Sequence, residues 1–197
     1  MTSILKVDTI QDADGNNIIN ESGNTITIGA SGDTTNIIGT LQNDGAAVGG
    51  SMTPAFSAYM SANQTISNTT ITKADFDTEI YDSGSVFDTS NNRFTPGVTG
   101  KYLINAGLEI TSSADGNFNR GYIYLREDGS TIRELVTDHR GNPTRTNMLN
   151  FSYIIDVDST THYYEIFGYL SAHSGTSGLA IHGTIQKSYF NAFKIIE

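Results

Sequence analysis

All ten Tyr and nine Phe of this chain lie at or after Phe56, so its first 55 residues carry no aromatic side chain. A buried ring removes about 150–250 Å² from water, and a segment without rings has little with which to close a core. The change in character falls at Gly45-Ala-Ala-Val-Gly-Gly-Ser-Met-Thr-Pro54, a run of small residues closed by a proline. The chain therefore reads as residues 1–44, a Gly/Ala linker at 45–54, and a second domain at 55–197.

Within 1–44, short β-branched runs such as Thr25-Ile-Thr-Ile28 and Asn36-Ile-Ile38 alternate with turn clusters, about one every ten residues. The few aliphatics cannot offset the cost of ordering that much backbone in a single chain. Two readings follow: a disordered leader, or a β-rich intertwined trimeric stalk. In the second, Ile18, Ile26, Ile28, Ile37 and Ile38 pack against their symmetry mates. Regular turn spacing and the alternation in Thr25-Ile-Thr-Ile28 favour the stalk.

Residues 55–197 carry no helical period and read as strands at 55–60, 65–73, 79–87, 93–95, 101–111, 120–126, 131–138, 148–157, 162–170 and 184–196. Leu149, Phe151, Tyr153, Ile155 and Val157 alternate with Asn150, Ser152 and Asp156, as expected of a strand with one wet face. The segment 162–170 is apolar on both faces, Tyr164, Ile166 and Leu170 on one and Tyr163, Phe167 and Tyr169 on the other. Tyr164, Ile166 and Leu170 are assigned to an interface with a neighbouring subunit, because a monomer rarely leaves a large apolar patch in water. The fold class is all-β, with a two-sheet jelly roll for 55–197.

The formal charge of −10, from 21 acidic and 11 basic residues, leaves no basic patch for phosphates, so nucleic acid is not expected as a partner. The absence of Cys excludes thiolate metal sites and a Cys nucleophile. No apolar run reaches the ~18 residues of a membrane span, and Met1–Asp8 lacks the pattern of a Sec-type leader.

From Phe76 the spacing becomes specific: five residues to Asp82, four to Phe87, six to Phe94, five to Gly100 and one to Tyr102. This resembles the signature of the C1q-like domain of the C1q and tumour-necrosis-factor class. It departs at Ile104 and Ala106, where that signature has aromatics, and at Ala192, where the last strand usually has Gly; Phe190 and Phe193 agree. The resemblance covers residues 54–197. It implies a C1q/TNF-like jelly-roll head, predominantly homotrimeric, non-enzymatic and binding proteins or surface ligands from the end of a stem. It brings no cofactor, although some relatives hold a structural calcium ion near the threefold axis. The phrase Leu5-Lys-Val-Asp-Thr-Ile-Gln-Asp12 with Gly15-Asn-Asn also resembles the leader of marine bacteriophage tail-fibre proteins. Together these imply a fibre made in the host cytoplasm and carried on the outer surface of a virion tail or head. Residues 1–44 would then anchor it to other virion proteins, and the head would bind a host cell-surface glycan or protein. The alternative is a capsid-decorating head fibre or tail adaptor with only viral partners.

Catalytic patterns are weak. Gly175-Thr-Ser-Gly178 lacks the spacing of a nucleophile elbow, the glutamates Glu109, Glu127, Glu134 and Glu165 cannot be paired from spacing, and His139, His162, His173 and His182 show no zinc pattern. Recognition is expected in three loops, 112–119, 138–146 and 171–178. Phe118 is either a stacking surface for a sugar ring or a residue tucked into the sandwich. Arg140 and Arg145 suit carboxylate or phosphate groups. Asn117, Asn119, His139 and Asn142 suit orienting hydrogen bonds, and His173 completes the ligand-facing set.

Overall fold

The computed structural model describes residues 9–11, 13–15, 17–22, 25–28, 31–38, 42–43, 46–47, 52–112, 114–174 and 179–196. The chain separates into two compact units, Met1–Gly50 and Ser51–Glu197. In the first, β1 (Thr9–Gln11), β2 (Asn17–Ser22) and β3 (Thr25–Ile28) form an antiparallel sheet, and β4 (Gln42–Asn43) pairs with β5 (Ala46–Ala47). The register sets Ile10 opposite Ile19 and Ile19 opposite Ile28. All three are exposed, as are Ile37 and Ile38, which is 95% accessible. The Ile18 and Ile26 side chains lie outside the described residues.

The second unit holds β6 (Ala55–Tyr59), β7 (Gln64–Thr65), β8 (Thr72–Lys73), β9 (Thr78–Ser83), β10 (Phe87–Asp88) and β11 (Arg93–Phe94). It continues with β12 (Gly100–Thr111), β13 (Phe118–Glu127), β14 (Ser130–Asp138), β15 (Thr146–Val157), β16 (Tyr164–Ala172), β17 (Ala180–His182) and β18 (Tyr189–Ile196). In sheet one, β12 pairs along its length with β15 on one side and with β18 and then β17 on the other. Beyond these, β6 and β9 follow β18, and β7 follows β17. Sheet two runs β14, β13, β16, with β11 and β8 sharing the far side of β16 and β10 beyond β11. Every pairing is antiparallel, and the two sheets enclose one core. Among the described residues no helix is long and apolar enough to cross a membrane.

The spaced aromatics form that core's densest part. Phe56 stacks on Phe87 at 4.6 Å and lies 4.8 Å from Phe94, while Phe190 meets Phe56 edge-on at 5.0 Å. Asp82 caps the intervening loop, its carboxylate accepting the Val86 and Phe87 N–H groups at 3.0 and 2.9 Å. Tyr102 is buried and donates to the Val98 carbonyl at 2.8 Å, and Gly100 has φ +132°, a backbone that favours glycine. Ile104, Ala106 and Ala192 are fully buried, so the departures from the family spacing are smaller side chains at interior positions.

Local chemistry explains the remaining boundaries. Asp128-Gly129, both with positive φ, form the two-residue turn between β13 and β14. The strand expected at 65–73 is two separate pairs, β7 and β8, joined by a turn. There the Thr70 N–H donates to the Ser67 carbonyl. The segment expected to begin a strand at 184 opens with a 3₁₀ turn, Thr184–Gln186, and β17 just before it is an additional strand.

Tyr164, Ile166 and Leu170 are fully buried between the sheets, which corrects their assignment to a subunit interface. Gly168 on the same face lets Ile181 and Leu108 approach, since a Cβ there would lie 3.0 and 3.1 Å from their methyl groups. The partners that cover this face are residues of the same chain. Alternation separates the two faces of a strand but does not say which of them faces inward.

Candidate functional site

The register gives the head two ends. Ala55, Gly100, Val157 and Ile196 mark the base, where β6 enters and β18 leaves. The opposite end, the apex, collects all three expected loops. The Phe118 N–H donates to the Thr144 carbonyl at 2.7 Å, Ser112 N–H to the Arg145 carbonyl at 2.8 Å, and His173 N–H to the Asn117 carbonyl at 2.8 Å.

Within that end the expected residues divide. Phe118 is fully buried, its ring lying where a Cβ on Gly121 would stand, so it anchors the loops and is withdrawn from any ligand. Asn117 is buried too, and its side-chain oxygen accepts the Ser174 N–H at 2.7 Å. The structure takes the buried one of the two readings of Phe118 and corrects Asn117 from a ligand contact to a support, because closing a sandwich end requires an apolar plug and a partner for each turning backbone group. Asn119 is half-buried. His139 Nε2 lies within hydrogen-bonding distance of Thr137 and Asn147. Arg140, Asn142, Arg145 and His173 are exposed. Arg140 is committed to Asp138, donating from Nε at 2.9 Å to each carboxylate oxygen; these bonds hold the Asp138 carboxyl at about 2. Arg145 is only loosely held, 3.7 Å from a highly exposed Asp115. Residues 175–178 lie outside the described residues.

Sequence reasoning missed a second group at the apex. A cleft of about 610 Å³ opens at the upper end of sheet one, lined by Glu109, Arg145, His182, Lys187 and Asn63. Register places Glu109 opposite His182. His182 Nδ1 lies 2.6 Å from Glu109 Oε1, and Lys187 Nζ donates to the same oxygen at 2.8 Å. Burial alone would raise the Glu109 pKa, but these two hydrogen bonds outweigh it and hold the carboxyl below its ordinary range. No spacing could reveal this group, because the pairing of β17 and β18 with β12 joins residues far apart in sequence. Among the described residues, no group of three or more His, Asp or Glu side chains is arranged to hold a metal ion.

The outer faces of the two sheets differ. Sheet two presents aromatic rings under arginine lids: Arg126 lies 4.2 Å from the Phe167 ring centroid, Arg120 5.0 Å from Tyr122, and Arg93 5.1 Å from Tyr163. Tyr122 packs on Tyr124 and Tyr169 at 5.5 and 5.4 Å. Burial, with Glu134 nearby, pushes the Tyr124 hydroxyl up to about 12. On sheet one, Tyr59, Leu103, Tyr189 and Phe193 are half-buried, and Met148 and Ile154 are 40% and 56% exposed. Met148 and Tyr189 close over Gly107, where a Cβ would meet them at 2.6 and 2.7 Å. A polar row crosses this apolar patch and is satisfied within the chain: Ser152 donates to Asn105 at 2.6 Å and Ser57 to Asn191 at 2.7 Å. The outer side of β15, expected to be wet from Asn150, Ser152 and Asp156, also carries the apolar Met148 and Ile154.

The base carries a charged clip. His162 lies between two carboxylates, Nδ1 2.5 Å from Asp128 and Nε2 3.0 Å from Asp158. The Asp128 hydrogen bond, with Asp158 in support, raises the imidazole pKa; the Tyr163 N–H, and then His162, lower that of Asp128.

No protein-family model matches the sequence, and no curated protein matches it. Similarity appears in solved structures. The globular domain of zebrafish complement 1qA aligns with TM-score 0.52 and 14% identity over 73% of this chain and 98% of that one. Eiger TNF from S. frugiperda aligns with TM-score 0.54 and 12% identity over 73% and 92%. Murine APRIL aligns with TM-score 0.51 and 8% identity over 72% and 98%. The chain shares with them the C1q/TNF-type jelly-roll fold.

Proposed function

We propose that this chain is a non-enzymatic, homotrimeric virion fibre whose jelly-roll head assembles through the outer face of sheet one and meets a host-surface glycan or protein at its apex. The observation that carries this reading is the bare apolar face of sheet one, which runs from Ile154 through Leu103 to Phe193 along paired strands. Apolar area left open on a rigid sheet calls for cover by a neighbouring copy, and around a threefold axis each copy covers the next with a different part of its own surface. The exposed Ile10–Ile19–Ile28 row of the first unit supports the same state, since neighbouring copies would give those side chains the core they lack. Residues 1–44 serve as the virion anchor in this reading. Three copies then present three apices together, and weak single contacts multiply into avidity.

The test is location and competition. Electron microscopy of particles decorated with an antibody to the apex is expected to label outward-facing fibres, and purified trimer is expected to block particle adsorption to host cells. Label on a capsid-decorating fibre or a tail adaptor, with adsorption unaffected by excess trimer, would replace host recognition with a purely viral set of partners.

A further inference from the structure

We infer that the apical cleft of sheet one is a binding site for a compact oxyanion, the carboxylate or phosphate group of a charged surface glycan. The role of such a ligand in attachment rests on the function proposed above; the binding chemistry does not.

Three features converge. The chain is strongly acidic, with net charge −10, yet this cleft gathers Arg145, Lys187 and His182 around one carboxylate. That carboxylate, Glu109, is already engaged on a single oxygen by both His182 and Lys187. Lys187 keeps further N–H donors beyond the one it gives to Glu109. Arg145 is 60% exposed and its ion partner Asp115, at 3.7 Å, is 90% exposed, so a better-placed anion can displace it. A guanidinium and an ammonium lining one cleft suit a two-oxygen anion.

The walls are also fixed before any ligand arrives. The Arg145 carbonyl accepts from Ser112 N–H at 2.8 Å and from Ser112 Oγ at 3.0 Å, which pins the backbone from which the guanidinium projects. The Thr111 and Thr146 hydroxyls lie 2.8 Å apart across the floor. Asn63 accepts the Gly183 N–H through its side-chain oxygen at 3.1 Å, which leaves its NH₂ group to the cleft. Gly183 is packed so closely on Ala62 that a Cβ would fall 2.1 Å from the Ala62 carbonyl oxygen. A volume of about 610 Å³ falls in the range of pockets that take small ligands.

The experiment is calorimetric titration of the full-length protein at low salt with D-glucuronate, inorganic phosphate and neutral glucose in parallel. The expected result is saturable binding of at least one anion, one site per chain, weakened at least tenfold in Arg145→Gln. Arg133→Gln, the same charge change on β14, is expected to leave the affinity unchanged. Lys187→Gln provides a second variant that does not depend on the 138–146 loop. Binding of glucuronate alone assigns a uronic-acid ligand, of phosphate alone a phosphorylated one, and of both the oxyanion in general. No saturable anion binding, binding untouched by both Arg145→Gln and Lys187→Gln, or glucose bound as tightly as the anions would overturn the assignment. If anions bind yet do not compete with particle adsorption, the cleft stands and the host-recognition role falls.

Discussion

The two outer faces of the head are built from the same residue types and finished differently. Each carries tyrosines and phenylalanines on paired strands, but on sheet two arginines lie over the rings, whereas among the described residues no arginine lies over the rings on the outer face of sheet one. A guanidinium over a ring keeps its own hydration on one side and shields the ring on the other. The difference teaches that aromatic content alone does not mark an interface. In the proposed assembly what marks it is an apolar face whose polar members, here Asn105, Ser152, Ser57 and Asn191, are already hydrogen-bonded in pairs within the chain.

The largest expected effect breaks the comparison outright. Leu103→Lys combined with Phe193→Lys places two charges in the bare face; burying an unpaired charge costs roughly 3–5 kcal/mol. Sedimentation is expected to show the proposed trimer giving way to a chain of 21.2 kDa. Phe167→Lys on sheet two is expected to leave assembly intact, and the opposite pattern would assign assembly to sheet two.

A smaller effect sharpens the role of the lids. Arg126→Ala removes a cation–π contact, a loss of about 0.5–1 kcal/mol in urea unfolding, with the oligomer unchanged. It is also expected to raise binding of a hydrophobic dye by baring Phe167. No change in either measurement would mean the arginine is incidental.

The smallest effect lies on neither face and serves as a reference. The folded-state pKa of His162 is raised, so its contribution is fully present below the ordinary histidine value of about 6.5 and is lost as pH rises through the raised one. The pKa of Asp128 is lowered, so its share is present above the ordinary value of about 3.9 and is lost as pH falls through the lowered one. An NMR titration is expected to place His162 above 6.5 in the wild type and to bring it down in Asp128→Asn, where Asp158 alone of the two carboxylates remains to hold it up. Because the clip sits at the β13–β14 turn of sheet two, off the outer face of sheet one, assembly is expected not to follow this titration.

The sandwich was legible because its signals are local. Period-two alternation in β15 placed Leu149, Phe151, Ile155 and Val157 inward, as the structure has them, and the spacing from Phe76 to Tyr102 corresponds to one aromatic cluster. What sequence could not supply was polarity between layers. Tyr164 and Tyr163 are adjacent residues of similar hydrophobicity, and only Gly168, which admits side chains from the opposite sheet, decides which of them is interior. At the apex the loops were legible from their length and polar content, but nothing in the sequence chose between the exposed and the buried reading of Phe118, and the burial of Asn117 leaves no sequence signal. The Glu109–His182–Lys187 group escaped notice because it is assembled by β17, whose three residues carry too little pattern to read as a strand.

The chain enters and leaves the sandwich at one end. Ala55 pairs with Phe193, and Lys101 with both Ile196 and Asp156. The opposite loops therefore sit on a frame whose threading is complete without them, so their length can vary without rerouting a strand. As an engineering scaffold, this head should accept foreign peptides at the exposed tip 140–142 while its own fold registers the insertion only as a longer connection.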